Sequence, residues 1–143
     1  GIFQFIDNDA ELATVVSHEV AHALARHGGE RMSWAAMQQL GSLGLKNAGA
    51  GPIAEAVYGY GTQLGVMLPF SRKHENEADA IGLILMAKAG YDPRAAVTLW
   101  QRMNAQGGGR SVEFLSTHPA PTNRIANIQA LIPEAMRYYR KPQ

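Results

Sequence analysis

The chain has 143 residues, a formal net charge of +1, five histidines and no cysteine, with 46% of its residues apolar and 17% charged. That length suits one domain with a working core, and the low charge fraction excludes a disordered chain. The balanced charge argues against a nucleic-acid partner, which would call for a basic surplus. Without cysteine, any metal has to be held by His, Asp or Glu.

Taken in order, Gly1-Ile2-Phe3-Gln4-Phe5-Ile6 has the pattern of a short apolar strand. It begins without an initiator Met, a basic leader or a cleavage site, so the chain is expected to be an N-terminally truncated piece with no signal visible in it. Asp7 or Asn8 can cap a first helix. With Asn8 as the cap, Glu11 stands at the third helical position of a capping box. This helix is expected to run to about His27 and to stop at Gly28-Gly29. Apolar periodicity predicts a second helix from Arg31 to about Leu45.

Residues 41–70 hold seven of the fifteen glycines, which predicts either a mobile lid over a cleft or a loose helical hairpin. The weakly charged run within it, 56–70, is about 15 residues long and broken by Gly, Thr and Gln, too short and too polar to span a bilayer. Ser71 can cap a strong helix ending near Ala89, with Gly90 as its stop. Asp92-Pro93 supplies a cap and a first-turn proline for a helix to about Ala105. A flexible glycine-rich loop is expected over 106–111 and an extended stretch over 117–122. Thr122 then caps a helix to Ile132, and Pro133 can open one last turn. No internal repeat and no second domain is visible, so 1–143 is expected to be one domain.

The chemistry concentrates in His18-Glu19-Val20-Ala21-His22. On a helix His18 and His22 lie about 40° apart and about 6 Å along the axis, so both imidazoles can converge on one ion. Glu19 lies about 60° round from His22, placed to address a water on that ion without binding the ion itself. The pattern is the HExxH signature of zinc peptidases. Between Leu12 and Ala25, Glu19 is the only charged residue, and apolar residues cover most of the circumference, so this helix is expected to be buried. Burying a lone carboxylate is costly unless a cation meets it.

Catalytic zinc takes three protein ligands and leaves a fourth position open. The metzincin extension is absent, since Ala25 and Gly28 stand where it needs Gly and His. His27 is about 180° from His18 on the same wheel and is expected to face away as a surface residue. The third ligand is therefore sought in the helix after Ser71. There Glu75 and Asp79 form another i, i+4 pair, and Asp79 is the only charge between Ala78 and Ala87. Glu75 is assigned to zinc. Asp79 is assigned to the outer nitrogen of His18, fixing its tautomer. Glu77 is about 200° from Glu75 and cannot share its face, and His74 is expected at the surface. Without a metal, Glu75 and Asp79 would be an exposed charged first turn.

His18-Glu19-x-x-His22, then Ser71-Arg-x-x-Glu75-x-Glu-Ala-Asp79-x-x-Gly82, then Ser116-Thr117-His118-Pro119-x-x-x-x-Arg124-Ile125 together resemble the M48 family of zinc metallopeptidases. Within it they resemble the bacterial envelope and mitochondrial quality-control members more than the multi-spanning ones. The resemblance implies a mainly α, zincin-like catalytic domain with one Zn²⁺ per chain. It would carry a short N-terminal strand remnant, and the sheet that lines the substrate cleft would lie largely upstream of Gly1. It also makes His118 a candidate for holding the scissile carbonyl oxygen, with Arg124 in support. In some members the matching histidine occupies the zinc and holds the enzyme latent. Read without the resemblance, His118-Pro119 is equally an ordinary turn.

These readings combine into a zinc endopeptidase of protein substrates, with a bacterial envelope or periplasmic location implied by the resemblance. Glu19 would serve as general base and the loop 106–111 would let His118 move. A latent or chaperone-like module, with His118 closing the open zinc position, is the alternative. A purely structural helical domain would bind no metal. Neither the oligomeric state nor the specific substrate is expressed in the sequence.

Overall fold

A computed structural model of the chain describes residues 1–106, 112–118 and 123–141. Its elements are a 3₁₀ turn at Ile2–Phe5 and helices α1 (Asp9–Leu24), α2 (His27–Asn47), α3 (Pro52–Thr62), α4 (Leu68–Lys88), α5 (Ala95–Ala105), α6 (Val112–Thr117) and α7 (Arg124–Met136), with a π-helical turn at Gln63–Met67 leading into α4. The chain is mainly α, and there is no strand among the described residues.

The expected N-terminal strand remnant is therefore a 3₁₀ turn. No strand among the described residues lies beside Ile2–Phe5, and the segment bonds to itself, Ile6 N donating to Phe3 O at 3.3 Å. Phe5 is nevertheless buried, which ties the turn to the core.

Asn8 caps α1 as expected, its Oδ1 accepting from Glu11 N at 3.0 Å. The return contact differs from a standard capping box: Glu11 Oε2 accepts from Asp7 N at 2.8 Å, one residue before the cap. Arg102 Nη1 also donates to that oxygen at 2.7 Å, which joins the start of α1 to α5.

The first helix ends three residues before its expected limit. Arg26 adopts a left-handed backbone, φ 58°, ψ 28°, and the chain turns there. Gly28 and Gly29, expected as a stop, lie in the first turn of α2 instead. The glycine-rich region is helical as well: α2 and α3 form a hairpin joined through residues 48–51. A Cβ on Gly41 would collide with the Tyr58 side chain, so this glycine is what lets the two helices approach.

Further on, α4 starts at Leu68, upstream of Ser71. Asp92 Oδ1 accepts from Arg94 N at 2.9 Å, closing a turn that precedes α5. Thr122 and residues 107–111 lie outside the described residues. The last helix begins at Arg124 and carries Pro133 inside it.

The core lies where α1, α4, α5 and α7 meet, around Phe5, Leu83, Met86, Leu99, Trp100 and Ile128. The central pair is α1 against α4. Gly82 of α4 sits so close to α1 that a Cβ there would stand 3.1 Å from His18 N and 3.2 Å from His18 Cα. The expectation that α1 is buried all round is not met. Its other side, Leu12, Val16, Val20 and Leu24, is exposed, and the first three of these border an open groove of about 540 Å³ shared with Leu85 and Tyr91. Amphipathic spacing says which residues share a face; it does not say how many faces are covered.

The Gly82 contact generates a prediction. Gly82→Val adds a branched side chain against helix backbone, which cannot move aside as a side chain can. It should destabilise the fold by about 1–3 kcal/mol, read as a lowered urea midpoint at unchanged slope. A midpoint equal to wild type would show that α1 and α4 have room to spare.

Candidate metal centre

Two helices and one turn bring the site together. His18 and His22 come from one face of α1, Glu75 and Asp79 from the facing side of α4, and His118 from the residue following α6. His18 and Glu75 are buried. His18 Nε2 lies 3.0 Å from Glu75 Oε2, and His22 Nε2 lies 3.0 Å from Glu75 Oε1. The two imidazole Nε2 atoms are 3.1 Å apart. His118 Nδ1 joins them, 3.0 Å from Glu75 Oε1 and 3.3 Å from His18 Nε2. His118 is itself seated by Phe114, whose ring stacks on it at 4.4 Å and whose carbonyl accepts from its backbone N–H at 2.9 Å.

One potential ligand atom from each of His18, His22, Glu75 and His118 lies within 4.8 Å of all the others. Such a set can be tested against zinc. Bonds of about 2.0–2.1 Å in a tetrahedron give ligand–ligand edges of about 3.3–3.4 Å, and the spacings found, 3.0–3.3 Å, are close to that. Glu75 Oε2 is also fully buried, facing His18 Nε2 at 3.0 Å. Two neutral imidazoles and a carboxylate are ordinary zinc donors. The residues fit a zinc ion.

The electrostatics agree. Burial acts to raise the pKa of Glu75, but hydrogen bonds from His118, His18 and His22 outweigh it and hold the carboxyl far below its ordinary range. Burial also acts against a charged His18, yet hydrogen bonds to Asp79 and Glu75 prevail and raise its pKa. A field that favours an extra proton between these groups also favours a cation there.

Behind this set Asp79 Oδ1 lies 2.9 Å from His18 Nδ1, the outer nitrogen of the imidazole. Asp79 is itself held by Arg124 Nη2 at 2.6 Å, and Arg124 Nη1 reaches Glu75 Oε2 at 3.5 Å. The family resemblance implies that Arg124 supports His118 at the scissile carbonyl. It lies on the inner side, buried, with its guanidinium 3.6 Å from the centre of the Trp100 ring. Its geometry suits holding the two carboxylates. Glu19 is on the outer side, half exposed, with Oε1 3.2 Å from His118 Nε2.

Two histidines depart from expectation. Neither His27 nor His74 is at the surface; both are buried, and their rings stack at 4.0 Å with 12° between planes. His27 Nδ1 is 2.9 Å from His22 Nδ1. His27 Nε2 is 3.1 Å from Glu77 Oε2, and His74 Nε2 is 2.8 Å from Glu30 Oε2. Burial lowers the pKa of His74, more than its bond to Glu30 raises it. The helical wheel missed His27 because it assumed one unbroken helix. The left-handed Arg26 resets the chain's direction, and the available signal was the local cluster His27-Gly28-Gly29 directly after it.

Residues 1–132 match peptidase family M48. The chain is 39% identical over 137 residues to the mitochondrial metalloendopeptidase OMA1 of Schizosaccharomyces pombe, covering 94% of this chain and 40% of that protein. It is 40% identical over 148 residues to its Arabidopsis thaliana namesake, covering 100% and 29%. It is 34% identical over 136 residues to the beta-barrel assembly-enhancing protease of Escherichia coli, covering 88% and 28%. The chain thus spans well under half the length of these relatives. No solved structure matches it.

The inner position of Arg124 can be checked without metal. Arg124→Met leaves Asp79 and Glu75 buried without their cation, a class of change that costs about 3–5 kcal/mol. Urea denaturation in the presence of a chelator should show that loss, and Asp79→Asn added to it should recover part. A loss below about 1 kcal/mol, the range of exposed pairs, would place Arg124 in contact with solvent.

Proposed function

The chain belongs to peptidase family M48, and on that premise we propose that it is the catalytic domain of a zinc-dependent endopeptidase of protein quality control, hydrolysing peptide bonds in polypeptide substrates. The observation that carries the proposal is the convergence of His18 Nε2, His22 Nε2 and the Glu75 carboxylate within about 3 Å of one another, with a half-exposed Glu19 at the rim. Three such donors from two helices are a preorganised site, and the carboxylate at the rim can work on a proton once His118 moves off it.

In this reading His18, His22 and Glu75 hold one Zn²⁺ per chain, and residues 1–143 form a single domain around it. Zinc, when bound, supplies Lewis acidity for water activation and carbonyl polarisation. Asp79 accepts from His18 Nδ1–H and so keeps the Nε2 lone pair directed inward. Arg124 anchors Asp79 from behind. Glu19 accepts the proton of the attacking water and returns it to the departing amine. His118 sits between the two parts of the machinery, Nδ1 toward the donors and Nε2 toward Glu19. Hydrolysis requires it to give up the inner position, and the same imidazole can then donate to the carbonyl oxygen as charge develops there. Part of the loop expected to permit that movement, 107–111, lies outside the described residues.

The location follows less narrowly than the chemistry. The bacterial envelope suits the Escherichia coli relative, whose name refers to β-barrel assembly, while other relatives are named as mitochondrial. A membrane-bounded compartment charged with protein quality control is the reading common to both. No helix among the described residues is long and apolar enough to cross a membrane.

Three measurements test the proposal. Elemental analysis of the purified chain should find one zinc per chain. Glu75→Gln should weaken zinc binding beyond the about 10–100-fold that outer-shell partners cost; zinc uptake equal to wild type would remove Glu75 from the ligand set. Separately, Glu19→Gln should keep its zinc and lose casein cleavage by at least the about 10²–10⁴-fold that a general base contributes. Cleavage at the wild-type rate with zinc content matched would sink the role given to Glu19.

A further inference from the structure

We infer that His27 is the positioning residue of the second zinc imidazole: it accepts the Nδ1–H of His22 and passes the hydrogen-bond chain on to Glu77. The inference rests on the metal centre proposed above and assigns a function to a histidine outside its ligand set.

The proton count fixes the direction of the chain. For His22 Nε2 to offer a lone pair inward, the neutral ring must carry its proton on Nδ1. That Nδ1 is 2.9 Å from His27 Nδ1. Two N–H groups cannot face each other at that distance, so His27 Nδ1 must be the acceptor, and the proton of His27 then stands on Nε2. Nε2 in turn is 3.1 Å from Glu77 Oε2, a carboxylate that only accepts. The sequence His22 Nδ1–H to His27, His27 Nε2–H to Glu77, is the one arrangement in which every partner is satisfied and the His22 lone pair points at the centre.

The plane of His27 is fixed as well. His74 stacks on it at 4.0 Å, the Phe70 ring packs against His74 at 4.1 Å, and Glu30 holds His74 Nε2 at 2.8 Å. His27 is therefore oriented by packing on its face and by Glu77 at its edge. The two zinc imidazoles are consequently held by different means. His18 leans on a carboxylate, Asp79, whereas His22 leans on a neutral imidazole whose carboxylate is one step further out and half exposed. The left-handed Arg26 makes this possible, because it brings the first residue of α2 back against the last turn of α1.

The test separates hydrogen bonding from packing. In His27→Phe a ring stays over His74 with no acceptor; in His27→Asn an acceptor stands where Nδ1 was, with no ring. Zinc affinity of the whole chain is read by competition with a chelating indicator, and each variant's fold is checked by circular dichroism in chelator. His27→Phe should weaken zinc binding by about 10–100-fold, and His27→Asn should recover most of that loss. Glu77→Leu, at a half-exposed position that puts folding at little risk, should weaken it in the same direction and by less. Zinc binding by His27→Phe equal to wild type, or tighter than by His27→Asn, would overturn the assignment, as would wild-type affinity in Glu77→Leu should His27→Phe fail to fold. If the wild-type chain itself takes up no zinc, the metal centre falls and His27 with it; a zinc-binding wild type with an indifferent His27 loses only the present inference.

Discussion

The structure depends on the burial of two carboxylates. Glu75 and Asp79 lie in the interface of α1 and α4, where an unpaired charge would cost more than the whole stability of a domain this size allows. Each is therefore surrounded: Glu75 by three imidazoles and the edge of Arg124, Asp79 by His18 and Arg124. Those partners come from α1, α6 and α7, so satisfying the two carboxylates dictates where three other helices dock. Gly82, one turn along α4, is the steric counterpart, since it lets the α1 backbone come near enough for imidazoles to reach the carboxylates. Placement of the charges and closeness of the helices are one constraint.

Much of this was legible from residue spacing. An i, i+4 pair lies on one face of any helix, so His18 with His22 and Glu75 with Asp79 could be placed before any tertiary fact was known. Asn8 was readable as a cap because its side chain needs only local backbone donors. What could not be read depended on distant parts of the chain. Whether Ile2–Phe5 becomes a strand is decided by a neighbouring strand, and among the described residues there is none. The exposure of Leu12, Val16, Val20 and Leu24 depends on what covers that side of α1. The wheel that sent His27 outward was right for a continuous helix and failed at a single left-handed residue, Arg26. One φ angle moved His27 from the expected surface into the interior, where it stacks on His74.

That apolar side of α1 has a bearing on how the chain relates to its family. Leu12, Val16, Val20 and Leu24 recur every four residues along the helix that carries His18, Glu19 and His22. The family relatives are more than twice as long as the region matched here. The His18, His22, Glu75 and His118 cluster nonetheless sits on the opposite side of α1, facing α4. The cluster and the apolar side of α1 are separable features of one helix, the first packed inside the chain and the second exposed.

His118 shows how the two sides of the centre are coupled. Its Nδ1 lies among the inner donors and its Nε2 lies 3.2 Å from Glu19, so one ring touches both the group expected to hold the metal and the group expected to move the proton. A ring in that position blocks access to the inner donors and occupies the carboxylate of Glu19 at once. A displacement of the whole ring would open both. Phe114, stacked on the ring, and the main-chain bond to its carbonyl are then what holds the arrangement closed. These contacts are within α6 and its last turn, whereas His18, His22 and Glu75 belong to the central α1–α4 pair. His118 is thus carried by the end of a short helix and the other three donors by the core, a division under which His118 could leave the inner position without disturbing His18, His22 and Glu75.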